Sequence, residues 1–155
     1  MLMENTLGGL IRNGGVFADV EGKTPEEIFN KVCREVVFPE GFDREALITE
    51  LVEREKILST AVGNGIAIPH PRKSMVQEDS DQRLIVCYLK KPIDMSSPDE
   101  RKVSVMFILL TKSTQFHLQI LSDLAKLIHQ EDFRKFLDTK PNMDSLVEKI
   151  NSMVV

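Results

Sequence analysis

The sequence predicts an α/β fold in which a mixed β-sheet lies between helices in a single domain. Two runs, residues 84–89 and 103–110, are almost continuously apolar, as is typical of strands buried on both faces. Helical apolar spacing occurs before and after these runs, so helices are expected on both sides of the sheet. No internal repeat or low-complexity linker interrupts residues 1–155, which predicts one domain with its core at about residues 16–150.

Composition and charge argue against several functional classes. The 24 acidic residues outnumber the 20 basic ones, and no basic block is longer than a pair. A nucleic-acid partner is therefore not expected, because affinity for phosphate backbones comes from clustered basic charge. The N-terminus lacks the basic start and apolar core of a signal peptide, and the apolar run at residues 105–110 is too short to span a membrane. These features predict a cytoplasmic protein.

The first predicted elements are a short strand and a helix. Residues 1–15 read as an irregular stretch that ends in a turn, and residues 16–20 then alternate as a strand. Thr24 is placed to cap a helix, a proline fits the first helical position, and Glu27 completes a capping box. Pro39 disfavours helical geometry at the residue before it, so the helix is expected to end there.

A second helix is predicted to begin after Asp43. Its apolar residues recur at helical spacing to about residue 56, and Glu50 and Arg54 fall on the polar side. The polar residues 73–82 predict a loop. An exposed excursion at residues 92–99 separates the two buried strands.

The strongest helical pattern runs from residue 114 or 115 to about Gln130. Either Ser113 or Thr114 can cap its N-terminus. Two shorter helices follow, one around residues 133–137 and a terminal one opened by Asn142. The apolar stripe of the long helix is predicted to comprise Leu118, Leu121, Leu124, Ala125 and Ile128.

Residues 63–72 place one histidine on a rigid turn. Glycines at positions 63 and 65 permit positive φ, and prolines at positions 69 and 71 fix φ on both sides of His70. This segment follows an extended stretch at residues 57–62 and therefore presents a single side chain. The same residues fit a surface turn that contains a histidine by chance.

Two further histidines lie on the long helix. His117 falls in its first turn, where backbone N–H groups and the helix dipole favour an anion such as phosphate. A first-turn histidine bonded to its neighbours is the alternative interpretation. His129, near the end of the helix, complements the dipole at that terminus.

Metal and serine-hydrolase chemistry find no support in the motifs. The sequence contains no H-x-x-x-H, H-E-x-x-H or G-x-S-x-G, so no metal, cofactor or serine nucleophile is expected. Cys33 and Cys87 lie in helical and strand patterns and read as buried small hydrophobic residues. Taken alone, Arg54 and Arg72 fit solvated surface charges.

Residues 63–70, GNGIAIPH, resemble the active-site signature of the fructose/mannitol-type enzyme IIA domains of the bacterial phosphoenolpyruvate-dependent sugar phosphotransferase system. That family includes the nitrogen-related IIA regulators. Residues 53–60 and 117–125 resemble its two other landmark segments, in the same order. The resemblance covers about residues 16–150, nearly the whole chain.

The resemblance implies an α/β sandwich that works as a phosphocarrier. His70 matches the residue that accepts a phosphoryl group from the phosphohistidine of HPr and donates it to a cysteine or histidine of a IIB domain, here expected on a separate chain. His117 matches the family's second active-site histidine, and Arg54 its active-site arginine. Further candidates for contacts with phosphate or a partner are Arg72, Thr60 and Asn64.

One position departs from the family pattern. The family often has glycine after the histidine, whereas this chain has Pro71, which cannot donate a backbone hydrogen bond to the phosphate. Arg72 is expected to compensate as a forked donor.

Two roles remain open for such a carrier. In the first, the protein passes phosphate toward a sugar transporter and associates with the membrane only through that transporter. The other is a regulatory protein whose phosphorylation at His70 switches its binding to a kinase, a channel or a regulator. A structural domain with an unreactive His70 is a third interpretation.

Overall fold

A computed structural model describes residues 6–153 of the protein. These residues form six α-helices and one five-stranded sheet, with a 3-10 turn at Asp79–Asp81. The elements in chain order are α1 Leu7–Gly14, β1 Val16–Val20, α2 Pro25–Glu35, α3 Arg44–Ile57, β2 Ala61–Gly63, β3 Ile66–Ala67, β4 Arg83–Ile93, β5 Val103–Leu110, α4 Thr114–Ile128, α5 Glu131–Asp138 and α6 Met143–Met153.

The sheet is mixed, with strand order β1-β4-β5-β3-β2. Strand β4 pairs parallel with β1 and antiparallel with β5, and β3 pairs parallel with β5 and antiparallel with β2. Because β3 and β5 run in the same direction, their carboxyl ends meet at one edge of the sheet. This edge positions the candidate site.

Each face of the sheet carries its own hydrophobic core. Alternate residues of β4 and β5, such as Ile85 and Met106, pack with α2 and α3. The intervening residues, such as Val86 and Phe107, pack with α1, α4, α5 and α6. Burial on both faces explains why these two strands are almost continuously apolar. The predicted sheet between helices is therefore confirmed.

The predicted helix starts are confirmed by their caps. The side chains of Thr24, Asp43 and Ser113 accept hydrogen bonds from backbone N–H groups three residues further on, and Asn142 does the same for Ser145. Each bond satisfies one of the donors that have no partner within the first helical turn.

The prediction of an irregular stretch before β1 was wrong for residues 7–14, which form α1. Thr6 accepts a hydrogen bond from the Gly9 N–H, and Leu10 and Ile11 are fully buried. Gly14 lets this helix approach β4, since a Cβ there would lie 2.3 Å from the Leu84 carbonyl oxygen. The interpretation of residues 1–5 falls outside the described residues.

The end of α2 and the extent of β4 differ from the prediction. Helix α2 ends at Glu35, before the expected break at Pro39, because Val36 is already extended. Strand β4 continues through Pro92, which lies where the register with β5 slips between Tyr88 and Ile93. Proline is tolerated there because a bulge needs no regular ladder hydrogen bond.

The predicted faces of α3 and α4 also need correction. Glu50 is buried and does not lie on a solvent-facing side, because it pairs with an arginine from another segment. Leu118 is 60% exposed, and Ala125 is exposed as well. The stripe of α4 that faces the core consists of Ile120, Leu124, Leu127 and Ile128.

None of the helices within residues 6–153 combines the length and the apolar character that crossing a membrane requires.

Candidate active site

His70 lies where the chain leaves the sheet beside the end of β5. The hairpin from β2 to β3 turns at Asn64 and Gly65, with φ of 57° and 77°, a geometry that Asn-Gly adopts readily. Strand β3 then pairs with β5, and the Pro69 carbonyl accepts a hydrogen bond from the Leu109 N–H at 2.9 Å. This pairing holds the residue before His70 against the carboxyl end of β5.

His117 reaches the same place from the other direction. After β5 the chain turns at Ser113, which caps α4 by accepting from the Phe116 N–H at 3.2 Å. His117 sits in the first turn of α4, and its ring packs edge-on against the ring of His70, with the centroids 4.5 Å apart. The structure thus brings together two histidines that lie 47 positions apart in the sequence.

The imidazole of His70 is held in one tautomer. Its Nδ1 lies 3.0 Å from the carbonyl oxygen of Ile68, and a carbonyl can only accept, so Nδ1 carries the proton and donates. The Nε2 atom is then the unprotonated nitrogen. Burial lowers the pKa of His70, and Arg54 lowers it further, against opposing effects of the Ile68 hydrogen bond and Glu55. His70 is therefore neutral near pH 7.

His117 is more strongly biased toward the neutral form. Burial lowers its pKa to about 4, with further lowering by His70 and Arg54. Its Nδ1 lies 3.4 Å from the hydroxyl of Thr111, a buried residue at the end of β5.

Arg54 is the cation whose charge acts on both histidines. It lies in the last turn of α3, where its Nη1 donates to the carbonyl oxygen of Leu58 at 2.6 Å. That bond satisfies a helix-end carbonyl and holds the guanidinium at the end of α3.

The hydrogen bonds of Thr60 give it a structural role. It is buried, and its N–H and its hydroxyl donate to the Glu55 carboxylate at 2.9 and 2.7 Å, while its carbonyl accepts from the Ile68 N–H at 3.0 Å. Glu55 and Thr60 thus join the end of α3 to the segment that leads into His70.

The other two candidates, Arg72 and Asn64, form hydrogen bonds to carboxylates outside the pocket. Arg72 lines the pocket at His70, but its Nε and Nη2 donate to the two oxygens of Glu50 at 3.0 and 3.2 Å. Asn64 lies at the tip of the hairpin, where its N–H donates to Asp99 at 2.8 Å, and it is not among the residues that line the pocket.

A pocket of about 260 Å³ opens between the two histidines. Its described wall contains no carboxylate and three cations, Arg72, Lys73 and Lys112. Two of these cations have a carboxylate partner just outside the wall, Arg72 with Glu50 and Lys112 with Asp79 at 2.8 Å. The start of α4 forms part of it, and backbone N–H groups there have no partner within the helix. Positive side chains and a helix N-terminus together favour a phosphate-sized anion. The remaining residues of the wall are His70, Pro71, Ser74, Leu109, Thr111, Ser113, Thr114 and His117.

Sequence reasoning missed several residues of this site. Glu50 and Glu55 were assigned to the polar face of a helix, Lys73 to a polar loop, and Thr111 and Lys112 were not singled out. No local pattern marks Glu50, because its partner is 22 positions away. Lys112 had a usable signal, since it lies between a buried strand and a helix cap, where the carboxyl end of a strand places residues at the sheet edge.

Both cysteines are excluded as nucleophiles. Cys33 and Cys87 are fully buried, as predicted, and burial raises the pKa of each, that of Cys33 to about 12. Among the described residues, no group of three or more His, Cys, Asp or Glu side chains could hold a metal ion.

Residues 10–153 match the family described as phosphoenolpyruvate-dependent sugar phosphotransferase system, EIIA 2. The chain belongs to this family. For this EIIA 2 chain the match begins inside α1, which the sequence pattern alone had not identified as a helix.

Curated relatives of this EIIA 2 chain carry both of the names that the sequence left open. A nitrogen regulatory protein of Pseudomonas aeruginosa is 38% identical over 125 residues, which are 79% of this chain and 77% of that protein. A fructose-specific EIIA component of Haloferax volcanii is 33% identical over 97 residues, 61% of each chain.

Solved structures agree with the fold. The nitrogen regulatory protein IIA-Ntr from Neisseria meningitidis superposes with a TM-score of 0.74 at 27% identity, covering 88% of this chain and 92% of that one. Enzyme IIA of the mannitol system of Escherichia coli, solved in complex with phosphorylated enzyme IIB, gives a TM-score of 0.69 at 14% identity, covering 89% and 94%. At that identity the second match supports the fold alone.

Proposed function

We propose that this protein is a phosphohistidine carrier that accepts a phosphoryl group on His70 from phospho-HPr. The observation that carries the proposal is the fixed His70 tautomer. With Nδ1 donating to Ile68, the lone pair of Nε2 is available beside a pocket without a lining carboxylate. The family to which the chain belongs supports the same chemistry.

The transfer balances without a cofactor. The Nε2 lone pair of His70 attacks phosphorus, a new N–P bond forms, and the N–P bond of the donor breaks with its electron pair returning to the donor imidazole. The Nδ1 proton of His70 stays in place and keeps its hydrogen bond to Ile68. Because the phosphorylated ring then carries positive charge, it is a good leaving group for onward transfer.

Cationic groups and N–H donors would stabilise the transferring oxygens. Arg54 supplies positive charge close enough to act on both histidines, and the pocket adds Lys73 and the start of α4. Lys112 also lines the pocket, but its ammonium group is paired with Asp79. His117 can donate from Nε2 when its Nδ1 accepts from the Thr111 hydroxyl.

Exposed apolar side chains next to these residues would serve the docking of protein partners. Leu118 follows His117 directly and is 60% exposed, and Leu58, whose carbonyl binds Arg54, is 69% exposed. Exposed leucines beside a charged pocket are typical of an interaction surface.

The test is phosphorylation in a reconstituted system. Wild type is incubated with phosphoenolpyruvate, enzyme I and HPr and is expected to gain the mass of one acid-labile phosphoryl group, whereas His70→Ala gains none. The matched control is His129→Gln, which replaces the exposed histidine at the end of α4 and is expected to behave as wild type. Wild type that stays unmodified would sink the proposal.

The acceptor of the phosphoryl group defines two versions of this function. The first is transfer to a IIB domain of a fructose- or mannitol-type transporter. The second is a regulatory role in which the phosphorylation state of His70 switches binding to other proteins. The second is favoured by the higher identity to a nitrogen regulatory protein, 38%, than to a fructose-specific component, 33%.

Adding purified IIB proteins to the phosphorylated carrier separates the two versions. Rapid loss of phosphate to a IIB protein supports transport. A phosphorylated form that persists in the presence of IIB proteins of both sugar types supports regulation.

A further inference from the structure

An ion pair beside the pocket links the two segments that carry the main site residues. Glu50 lies on α3 one turn before Arg54, and Arg72 follows His70 by two residues. The Glu50 side chain is 12% exposed and the Arg72 side chain 47%, so the carboxylate is largely shielded and its partner reaches in from the surface. Two hydrogen bonds, at 3.0 and 3.2 Å, give the pair a forked geometry.

The backbone around His70 can form few hydrogen bonds to α3. Prolines at positions 69 and 71 have no N–H to donate. The backbone hydrogen bonds that hold this segment, from Ile68 to Thr60 and from Leu109 to Pro69, join it to the end of the α3 connection and to β5. Just beyond Pro71, the Arg72 side chain hydrogen-bonds the body of α3 through Glu50, and further along the chain Met75 and Val76 pack in the same hydrophobic cluster as residues of α3.

The fork also limits what Arg72 can do directly. Its Nε and Nη2 face Glu50, and the cation whose charge acts on His70 is Arg54. Moving Arg72 onto a phosphate at His70 would leave the shielded Glu50 carboxylate without its paired cation, which is unfavourable. The geometry therefore favours an indirect role for Arg72 over the direct phosphate contact that the sequence suggested.

We propose that Glu50 and Arg72 are positioning residues that set the placement of Arg54 relative to His70. This inference rests on the proposed function, in which Arg54 stabilises the phosphoryl group held by His70. Because Glu50 and Arg54 are four residues apart on one helix, they share a face, and an anchor at Glu50 holds the neighbouring turn that carries Arg54.

The test uses Glu50→Gln, Arg72→Gln and the double variant. The transfer rate from phospho-HPr is expected to fall on the order of ten- to a hundredfold in each single variant, because small misplacements cost rate steeply. The double variant is expected to be no slower than the slower single variant, since two residues that act as one pair are not additive. Urea unfolding confirms that each variant is folded before its rate is interpreted.

A second measurement does not depend on turnover. The His70 imidazole is titrated by NMR; Arg54, Glu55 and the His117 ring act on it or contact it, and Arg72, Lys73 and Lys112 line the same pocket. Loss of the Glu50 carboxylate by itself would move the His70 midpoint down, whereas movement of Arg54 away from His70 would move it up. An upward shift of the midpoint in Glu50→Gln is therefore expected if the anchor has loosened. Glu45→Gln, which breaks the exposed Arg34–Glu45 pair on the same helix, is the control and should leave both the midpoint and the rate unchanged.

The outcomes separate this inference from the proposed function. Unchanged midpoints and rates in the single variants overturn the positioning role. A slow Arg72 variant beside a normal Glu50 variant also overturns it, because Arg72 would then act on the phosphate without its partner. If wild type takes up no phosphate, the proposed function fails, while the midpoint of His70 still reports whether the pair positions Arg54.

Discussion

His70 and His117 share two causes of their lowered pKa, and His117 is affected by His70 in addition. Burial penalises the charged ring of each, and the positive charge of Arg54 adds to that penalty. In the proposed function His70 must be unprotonated at the attacking nitrogen, and a lowered pKa favours that state near neutral pH. In the proposed function Arg54 would therefore favour both the free nucleophile and the phosphorylated product.

Replacing Arg54 tests this double role at the level of single residues. In Arg54→Gln the NMR titration midpoints of both histidines are expected to rise, because a nearby positive charge no longer disfavours protonation. The midpoint of His117 should move up from about 4 but stay below 6.5, since burial remains the larger cause. The phosphoryl transfer rate should fall on the order of a hundredfold with loss of the cation.

Lys56→Gln is the matched control for that change. It removes an exposed cation from the same helix and breaks the salt bridge from Lys56 to Glu53, and it should leave both midpoints in place. Midpoints that stay unchanged in Arg54→Gln itself would contradict the role of Arg54 as the charge that acts on the histidines.

Two short elements carry the site. The Asn-Gly hairpin directs β3 along β5, and the capped start of α4 presents His117 and the N–H groups of its first turn. Local chemistry dictates both, since Asn64 and Gly65 accept positive φ and Ser113 is a strong N-cap residue. The sequence accordingly predicted the capped start of α4 and a glycine bend before His70, but it did not predict the hairpin or the pairing of β3 with β5.

Removing the cap of α4 is expected to weaken both stability and activity. Ser113→Ala loses the hydrogen bond to the Phe116 N–H and should lower the free energy of unfolding by about 1 kcal/mol. Fraying of the first turn should also slow phosphorylation of His70, because that turn lines the pocket. Urea unfolding and the transfer assay measure the two effects.

Ser122→Ala provides the comparison on the same helix. Ser122 is exposed in the interior of α4, where alanine has the better helix propensity, so stability should hold or rise by up to about 0.5 kcal/mol. A Ser113→Ala variant as stable as Ser122→Ala would show that the cap does not hold the first turn.

Features that depend on packing between distant parts of the chain were predicted less well. Helix α1 has apolar residues at helical spacing, but its glycines weaken the helical signal, and packing against β4 and α6 stabilises it. Leu118 matches the periodicity of an apolar stripe, yet the sheet contacts the neighbouring face of α4. Sequence periodicity identifies a face, whereas docking decides which face is covered.

The pH dependence of stability belongs to the whole molecule, because folding itself creates the two lowered pKa values. The unfolded chain binds more protons than the folded one between the folded and unfolded midpoints, so stability rises with pH there. For His117 this window lies between about 4 and 6.5. Its contribution is fully present above the window and is lost as the pH falls through it.

Urea unfolding at pH 7 and pH 5 measures this contribution. Wild type is expected to lose more stability than a His70→Gln/His117→Gln variant over that interval, by up to about 2 kcal/mol. Carboxylates titrate equally in both proteins, so they cancel in the difference. Equal losses in the two proteins would mean that the histidines are not kept neutral by the fold.

The sequence by itself determined the α/β architecture, the helix caps and the nomination of His70, His117 and Arg54, because alternation, capping and the residue motif are local properties. Only the tertiary structure decided that the two histidine rings meet, that Nε2 of His70 is the unprotonated nitrogen, and that Arg72 binds Glu50. Those features depend on the parallel pairing of β3 with β5 and on the burial of the His70 segment beside α3. The pairing and the packing bring together residues that are too far apart in the chain for a local pattern to relate them.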